Sequence, residues 1–209
     1  MTHSKLSTSR QSGNHQVEAQ RARILDVAQT LFLQQGLEHT SMVDIAAAAG
    51  ITKVTLYRYF PNRDEIAVEI RSRMLQRIAA LREPATLPMS LEGAKMLAQS
   101  AIRNFDALRD VYRFMAMFDT LYLDHAPDAA VTQWTKRAIG GLAAPDTVIP
   151  TDPEEQRCFV ILSSVIWFLE KVAVRGEVLI GAPDVSLTEH LQIFEEMVMV
   201  YIEHLLAAR

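Results

Sequence analysis

The chain has 209 residues, of which 49% are hydrophobic, enough for one or two small domains with a real core. Its single cysteine, Cys158, excludes an internal disulfide framework and suits a reducing cytoplasm. The net charge of −4 at first argues against a nucleic-acid partner, but it is unevenly divided: residues 1–63 carry +3 and the remainder −7. That asymmetry fits a DNA-facing end on an acidic body, although scatter could also produce it.

The first 16 residues are rich in Ser, Gln and His, show no periodicity, and are predicted to be a flexible tail. They lack the apolar centre of a signal peptide, and no window reaches the roughly 18 apolar residues of a membrane span. A first helix is predicted over 17–35, where Ile24, Ala28 and Phe32 recur at helical spacing. Gly36 ends it.

Two short helices joined by a tight turn are predicted within Thr40–Glu65. Ser41, with Asp44 three residues later, is a capping box that begins the first of them. Gly50 supplies the left-handed conformation that a sharp turn needs, and Thr52 is a good N-cap for a second helix over Lys53–Tyr59. The apolar side chains expected to pack these helices are Val43, Ile45, Ala46, Ala49, Ile51, Leu56 and Phe60.

The second of these helices carries more polar and aromatic side chains than its own packing needs. Pro61 ends it, because proline disfavours the helical conformation in the residue before it. The side chains expected to face outward are Lys53, Thr55, Tyr57, Arg58 and Tyr59. Helix-turn-helix geometry places such a helix in the DNA major groove, so we predict a DNA-reading helix. The alternative for Tyr57 and Tyr59 is that one of them packs in the core.

This run resembles the motif of the tetracycline-repressor (TetR) family of transcriptional regulators. The matching residues are Thr40, Asp44-Ile45-Ala46, Ala49-Gly50-Ile51-Thr52, Thr55-Leu56-Tyr57, Tyr59-Phe60 and Arg63. Two residues depart from the family pattern: Val54 replaces a common small residue, and Arg63 replaces a common lysine. The resemblance implies an all-α fold with a helix-turn-helix DNA-binding domain over 17–63 and a helical effector-binding and dimerisation domain over 64–209.

The resemblance also implies which residues meet DNA. Lys53, Val54 and Tyr57 lie where the reading helix faces base edges, where lysine donates to guanine and an apolar group contacts a thymine methyl. Phosphate contacts are expected from Ser41, Thr55, Arg58, Tyr59 and Arg63. Thr52 belongs to the same surface at the start of the reading helix, and Met42 is expected either to reach a base or to cap the domain.

The rest of the chain is predicted to be helical, since no period-two alternation occurs in it. Helices are predicted over 63–82, 91–108, 111–123, 127–141, 151–175 and 186–207. The linker EPATLPMS follows the first of these, which in the family connects the DNA-binding domain to the body, and Gly140-Gly141 ends the fourth. Thr151 with Glu154, and Ser186 with Glu189, are capping boxes that begin the last two.

The last two helices are apolar nearly all round, so one face of the pair needs a cover beyond the domain's own core. An identical pair from a second subunit, forming a twofold four-helix interface, is the economical cover, and the resemblance implies the same arrangement. The residues predicted at this homodimer interface are Phe159, Ile166, Phe194, Val198, Tyr201 and Ile202.

A small-molecule pocket is predicted between the helices over 91–175, with an apolar or aromatic effector, because soft side chains repack around varied shapes. Its candidate lining residues are Phe105, Met115, Phe118, Tyr122, Trp134 and Trp167, although such a residue taken singly more often belongs to ordinary core. The six histidines show no metal-ligand spacing, and no catalytic motif is present, so we expect neither a cofactor nor a metal nor an enzyme.

We therefore predict a cytoplasmic, nucleoid-associated regulator that binds a pseudo-palindromic operator as a homodimer and is released by its effector. Most proteins of this kind repress, but the residues do not distinguish a repressor from an activator. Two other classes remain open: an all-helical enzyme that retains a DNA-reading domain, and an architectural DNA-binding protein without a ligand. The effector, the operator and the regulated genes are not readable from the sequence.

Overall fold

The computed structural model describes residues 4–80, 90–122, 152–176 and 185–208, and the elements within these ranges are α-helices. In chain order they are α1 (Ser4–Gln35), α2 (Met42–Ala48), α3 (Lys53–Tyr59), α4 (Arg63–Ala80), α5 (Leu91–Arg103), α6 (Phe105–Tyr122), α7 (Pro153–Arg175) and α8 (Leu187–Ala207). The predicted all-α fold is confirmed. None of these helices combines the length and apolar character that crossing a membrane requires. The predicted helix over 127–141 and most of the EPATLPMS linker lie outside the described residues.

The chain forms two compact units, Met1–Ser72 and Arg73–Arg209, and the boundary between them falls inside α4. The predicted domain boundary at residue 63 lies earlier, because Ile66, Ala67 and Ile70 in the first half of α4 are buried within the first unit. α1 begins at Ser4 rather than at the predicted residue 17. No proline interrupts this polar segment, so nothing local prevents the helix from extending to Ser4.

Aliphatic and aromatic side chains from all four helices build the core of the first unit. The fully or almost fully buried ones are Ile24, Leu25, Ala28, Phe32, Leu37, Ile45, Ala46, Ala49, Leu56, Phe60, Ile66, Ala67 and Ile70. Val43 was expected to join them but is 55% exposed, because α2 buries Ile45 and Ala46 and turns Val43 away from that face. The small alanines let α3 cross α2 closely.

The second unit packs α5 and α6 against α7, and α8 against α5. Leu91 and Ala94 of α5 share a cluster with Cys158 and Ile161 of α7 and with Ile202 of α8. Cys158 is fully enclosed in this cluster. Two ion pairs, Lys95–Glu203 at 2.8 Å and Arg103–Glu195 at 3.7 Å, join α5 to α8 at the surface.

Helix ends in the second unit follow local capping chemistry, with two corrections. Asp152, not Thr151, caps α7: its carboxylate accepts the backbone N–H groups of Glu154 and Glu155. A carboxylate at this position accepts hydrogen bonds from two backbone N–H groups, and its negative charge is stabilised by the positive end of the helix dipole. The break between α5 and α6 lies at Asn104, not at residues 109–110, because the Asn104 amide donates to the Ser100 carbonyl at 2.8 Å and closes α5. The Ser186 capping box of α8 is confirmed.

Candidate nucleic-acid interface

Reciprocal hydrogen bonds between Ser41 and Asp44 begin α2. The Ser41 hydroxyl accepts the Asp44 backbone N–H at 3.2 Å, and the Asp44 carboxylate accepts the Ser41 backbone N–H at 2.8 Å and its hydroxyl at 2.6 Å. The hydroxyl first, and the backbone N–H second, hold the pKa of Asp44 below its ordinary value. The predicted capping box is therefore confirmed, and it sets where the first motif helix starts.

The turn between α2 and α3 depends on Gly50, whose φ of 64° lies in the left-handed region. The Ile51 backbone N–H donates to the Ala46 carbonyl at 3.0 Å, which closes the end of α2. Thr52 then caps α3 as predicted: its hydroxyl oxygen accepts the Thr55 backbone N–H at 3.1 Å. A few local hydrogen bonds thus help to set the orientation of α3 relative to α2.

Two buried residues anchor α3, and most of its other side chains project outward. Leu56 is fully buried and Phe60, the C-cap, is 1% exposed. Val54 is 76% exposed and Tyr57 is 45% exposed, so neither packs in the core of the unit. Lys53 and Arg58 are exposed as well, whereas Thr55 and Tyr59 are half-buried. The Lys53 ammonium lies 5.8 Å from the centroid of the Tyr57 ring, which brings a cation and an aromatic face together on the outer surface.

Several of the other predicted DNA-binding side chains are partly engaged within the protein. The Ser41 hydroxyl is part of the cap, and the Thr52 and Thr55 hydroxyls lie 2.9 Å apart. The Arg63 guanidinium donates to the Leu37 carbonyl at 2.9 Å and to the Glu38 carbonyl at 3.3 Å, and so holds the loop before α2. Met42 is half-buried.

Replacing Ser41 by Ala should lower the free energy of unfolding by about 1 kcal/mol, because the N-cap of α2 loses its acceptor. The Asp44 pKa should rise toward its ordinary value in the same variant. Since that pKa is lowered by folding, the stabilisation from Asp44 is present at neutral pH and is lost as pH falls through the lowered pKa. Urea unfolding and an NMR titration of Asp44 measure both effects. Ser72→Ala is the control, because the Ser72 hydroxyl bonds only within α4, to Val68.

The family described as bacterial regulatory proteins, tetR family, matches residues 24–70. These residues include most of the core of the first unit and all of α2 and α3. Residues 24–70 therefore carry the DNA-binding domain that this family shares.

Curated relatives are similar to this chain mainly in that region. The HTH-type transcriptional regulator AcrR of Shigella flexneri is 47% identical over 55 residues, which are 25% of this chain and 26% of AcrR. The HTH-type transcriptional repressor KstR2 of Mycobacterium tuberculosis H37Rv is 29% identical over 103 residues, 47% of this chain and 52% of KstR2. The chain thus covers at most about half the length of these two relatives.

Solved structures extend the likeness in fold to most of the chain. A tetR-family transcriptional regulator from Streptomyces coelicolor superposes with a TM-score of 0.58 at 18% identity, over 91% of this chain and 89% of that one. A TetR family transcription regulator from Marinobacter aquaeolei VT8 gives a TM-score of 0.58 at 19% identity, over 88% and 96%. Because the sequence identity is so low, these superpositions show similarity of fold only.

The predicted effector-binding residues occupy different environments. Phe105, Met115 and Phe118 are buried on α6, and the Tyr122 ring lies 4.5 Å from that of Phe118. Trp167 is 60% exposed, so the expectation that it lines an internal pocket is corrected. The physical reason is that α7 buries the face containing Ile161, Val165, Leu169 and Val172, and Trp167 lies on the opposite face. Trp134 lies outside the described residues.

Tyr112 and Glu170 are buried polar residues of the second unit that the sequence analysis did not single out. Tyr112 of α6 is 2% exposed, and its ring stacks on that of Phe105 with centroids 5.9 Å apart. Burial, and then the negative charge of Glu170 on α7, raise the Tyr112 pKa, so its hydroxyl keeps its proton. Glu170 is only 9% exposed. A glutamate directly after the apolar run Cys158–Leu169 was the available signal. Among the described residues, no three His, Cys, Asp or Glu side chains are grouped to hold a metal ion.

The predicted dimer-interface residues are largely engaged within their own chain. Ile202 is fully buried in the core, which corrects its assignment to an intersubunit surface. The Phe194 ring stacks on that of Phe168 at 3.8 Å, and Phe159, Ile166 and Val198 are half-buried. Tyr201 is 53% exposed and therefore remains a candidate for the dimer interface. The large apolar residues that α7 and α8 leave exposed form what we call the outer stripe: Val160, Trp167, Val174, Ile193, Met197, Val200 and Tyr201.

Proposed function

We propose that this chain is a sequence-specific transcriptional regulator of the TetR family that binds a pseudo-palindromic operator as a homodimer and is released by a small effector. One observation carries the proposal. α3 buries Leu56 and ends at the buried C-cap residue Phe60, yet the side chains of Lys53, Val54 and Tyr57 are exposed to solvent. An exposed valine and tyrosine beside a lysine add little to the stability of the isolated domain, but they match the chemistry of base edges in the major groove.

Within that function we assign base contacts to Lys53, Val54 and Tyr57. Arg58 is the strongest candidate for a phosphate contact. Arg58 is exposed in the last turn of α3. Arg63 stays a candidate, but its bonds to the loop before α2 give it a second role, so its loss would affect folding and binding together. The remaining candidates are Ser41, Met42, Thr52, Thr55 and Tyr59, whose backbone and side-chain groups flank the same surface.

Replacing Lys53 by Ala should weaken binding to the matched operator by about 1–3 kcal/mol and relax the preference at one base position. Replacing Arg58 by Ala should weaken binding to matched and scrambled duplexes alike and reduce the salt slope by about one. Titrations of both variants on both duplexes, at several salt concentrations, separate the two roles. Equal losses for both variants on both duplexes would contradict the assignment.

In vitro selection from random duplexes tests the function as a whole. A dimer that holds two copies of α3 should enrich two inverted half-sites whose centres lie about 34–36 Å apart or somewhat more. Recovery of no shared sequence would overturn sequence-specific regulation, and recovery of one unpaired half-site would overturn the dimer. KstR2 of Mycobacterium tuberculosis is named a repressor, and we propose repression here also, in the cytoplasm at the nucleoid.

The effector site is proposed for the second unit. Phe105, Met115, Phe118 and Tyr122 supply aromatic and thioether surface on α6. An effector releases the operator only if it binds the released state more tightly than the DNA-binding state. A melting screen of apolar and aromatic compounds, followed by release of labelled operator, tests this part. A compound that raises the melting temperature without releasing DNA would be a ligand but not an effector.

A further inference from the structure

The guanidinium of Arg21 joins three helices of the first unit. Its Nε donates to Glu69 Oε1 at 3.1 Å and its Nη2 donates to Glu69 Oε2, a two-pronged ion pair between α1 and α4. Its Nη1 donates to the backbone carbonyl of Tyr59, the last residue of α3, at 2.9 Å. The guanidinium carbon also lies 4.2 Å from the centroid of the Phe60 ring. All three nitrogens of one side chain are therefore engaged, two on α4 and one at the end of α3.

The carboxyl end of α3 is the place where such a contact has most effect. α3 has only seven residues, too few for a helix to be stable or to keep its direction alone. The last carbonyls of a helix lack partners within the helix and carry partial negative charge. Arg21 donates to one of these carbonyls, places a positive charge beside it, and covers the ring that anchors the helix. It thereby limits how far α3 can tilt on α1.

We propose that Arg21 is the positioning residue of the reading helix: it orients α3 through Tyr59 and Phe60, and its ion pair with Glu69 ties that orientation to α4. The inference rests on the proposed function and adds to it the residue that sets the direction of the reading helix. Glu69 lies within the first unit, shortly before its end at Ser72.

The charge arrangement argues against a direct phosphate contact by Arg21. Its guanidinium is paired with the Glu69 carboxylate, and both side chains are only about one-third exposed, at 34% and 31%. Glu18, on the same helix, is exposed and provides the comparison for the loss of a charge. Loss of a phosphate-contacting arginine lowers the salt slope of DNA binding, whereas loss of a positioning residue leaves that slope unchanged.

The test compares Arg21→Met, Arg21→Lys and Glu69→Gln, with Glu18→Gln as the control that removes a charge from the same helix. Hydrogen exchange of the free protein is measured at the backbone amides of α2 and α3. Arg21→Met should exchange roughly tenfold to hundredfold faster in α3, with α2 unchanged, because charge-assisted bonds to the end of α3 are lost. Arg21→Lys keeps the positive charge but lacks the planar guanidinium, so it should restore only part of the exchange protection of α3. Glu18→Gln should leave α3 protected.

DNA binding supplies the second measurement. Arg21→Met should lower the ratio of matched to scrambled affinity about tenfold, since a misdirected α3 loses base contacts, and should keep the salt slope of the wild type. Equal acceleration of α2 and α3, or none, would overturn the proposal, and so would a salt slope reduced by about one. If Arg21→Met does not fold, Glu69→Gln carries the same comparison. If the wild-type protein binds no DNA, the proposed function fails, but the role of Arg21 in orienting α3 is still tested, because the exchange measurement needs no DNA.

Discussion

The double variant Trp167→Glu, Met197→Glu is expected to disrupt the proposed homodimer, to sediment as a monomer, and to lose operator binding as a result. Trp167 is 60% exposed and Met197 is 64% exposed in the single chain, and both belong to the outer stripe of α7 and α8. Burying one such side chain contributes about 1.5–3 kcal/mol, and an unpaired carboxylate in an apolar interface adds a desolvation cost. Association should therefore weaken by at least roughly a thousandfold.

Sedimentation velocity and an operator titration measure this pair of effects. Met96→Glu is the control, because Met96 of α5 is also an exposed methionine, at 44%, but lies outside the outer stripe. The control should remain dimeric and bind DNA normally. A double variant that remains a dimer would show that the subunits meet elsewhere, and a monomer that binds the operator as tightly as the wild type would show that two joined reading helices are unnecessary.

Phe32→Ala is expected to lower the stability of the first unit by about 3–5 kcal/mol, the cost of a large cavity in a well-packed core. Phe32 is fully buried on α1. Val54→Ala, by contrast, should change stability by less than about 0.5 kcal/mol, because Val54 is 76% exposed. Its effect should fall instead on affinity for the matched operator, where a thymine methyl would lose its partner.

Urea unfolding followed by circular dichroism, and a titration with matched DNA, compare the two variants. Phe32→Ala tests the fold, and Val54→Ala tests the reading surface. Comparable losses of stability in the two would mean that Val54 packs against the protein in solution, and that α3 does not present it to DNA. Unchanged DNA binding by a stable Val54→Ala variant would remove Val54 from the base-reading set.

The helix-turn-helix could be predicted closely because its determinants act over three or four residues. The Ser41 and Asp44 cap, the positive φ of Gly50 and the Thr52 cap each depend on neighbours in sequence, and each is where the sequence indicated. The burial of Leu56 and Phe60 followed from apolar spacing alone. Capping was less predictable at Asp152 and Asn104, because adjacent polar residues compete for the same backbone groups and small differences in geometry select one.

The amino-acid sequence by itself determined the helical class, the motif and the polarity of its reading helix, since propensities, caps and hydrophobic periodicity are local properties. The tertiary structure alone decided which face of each helix is covered: it buried Ile202, exposed Trp167 and Val43, and brought Tyr112 toward Glu170. It also decided that Arg21 meets Glu69, 48 residues along the chain. Such pairings depend on how helices rotate and cross when they pack, and a helix's own residues do not specify that.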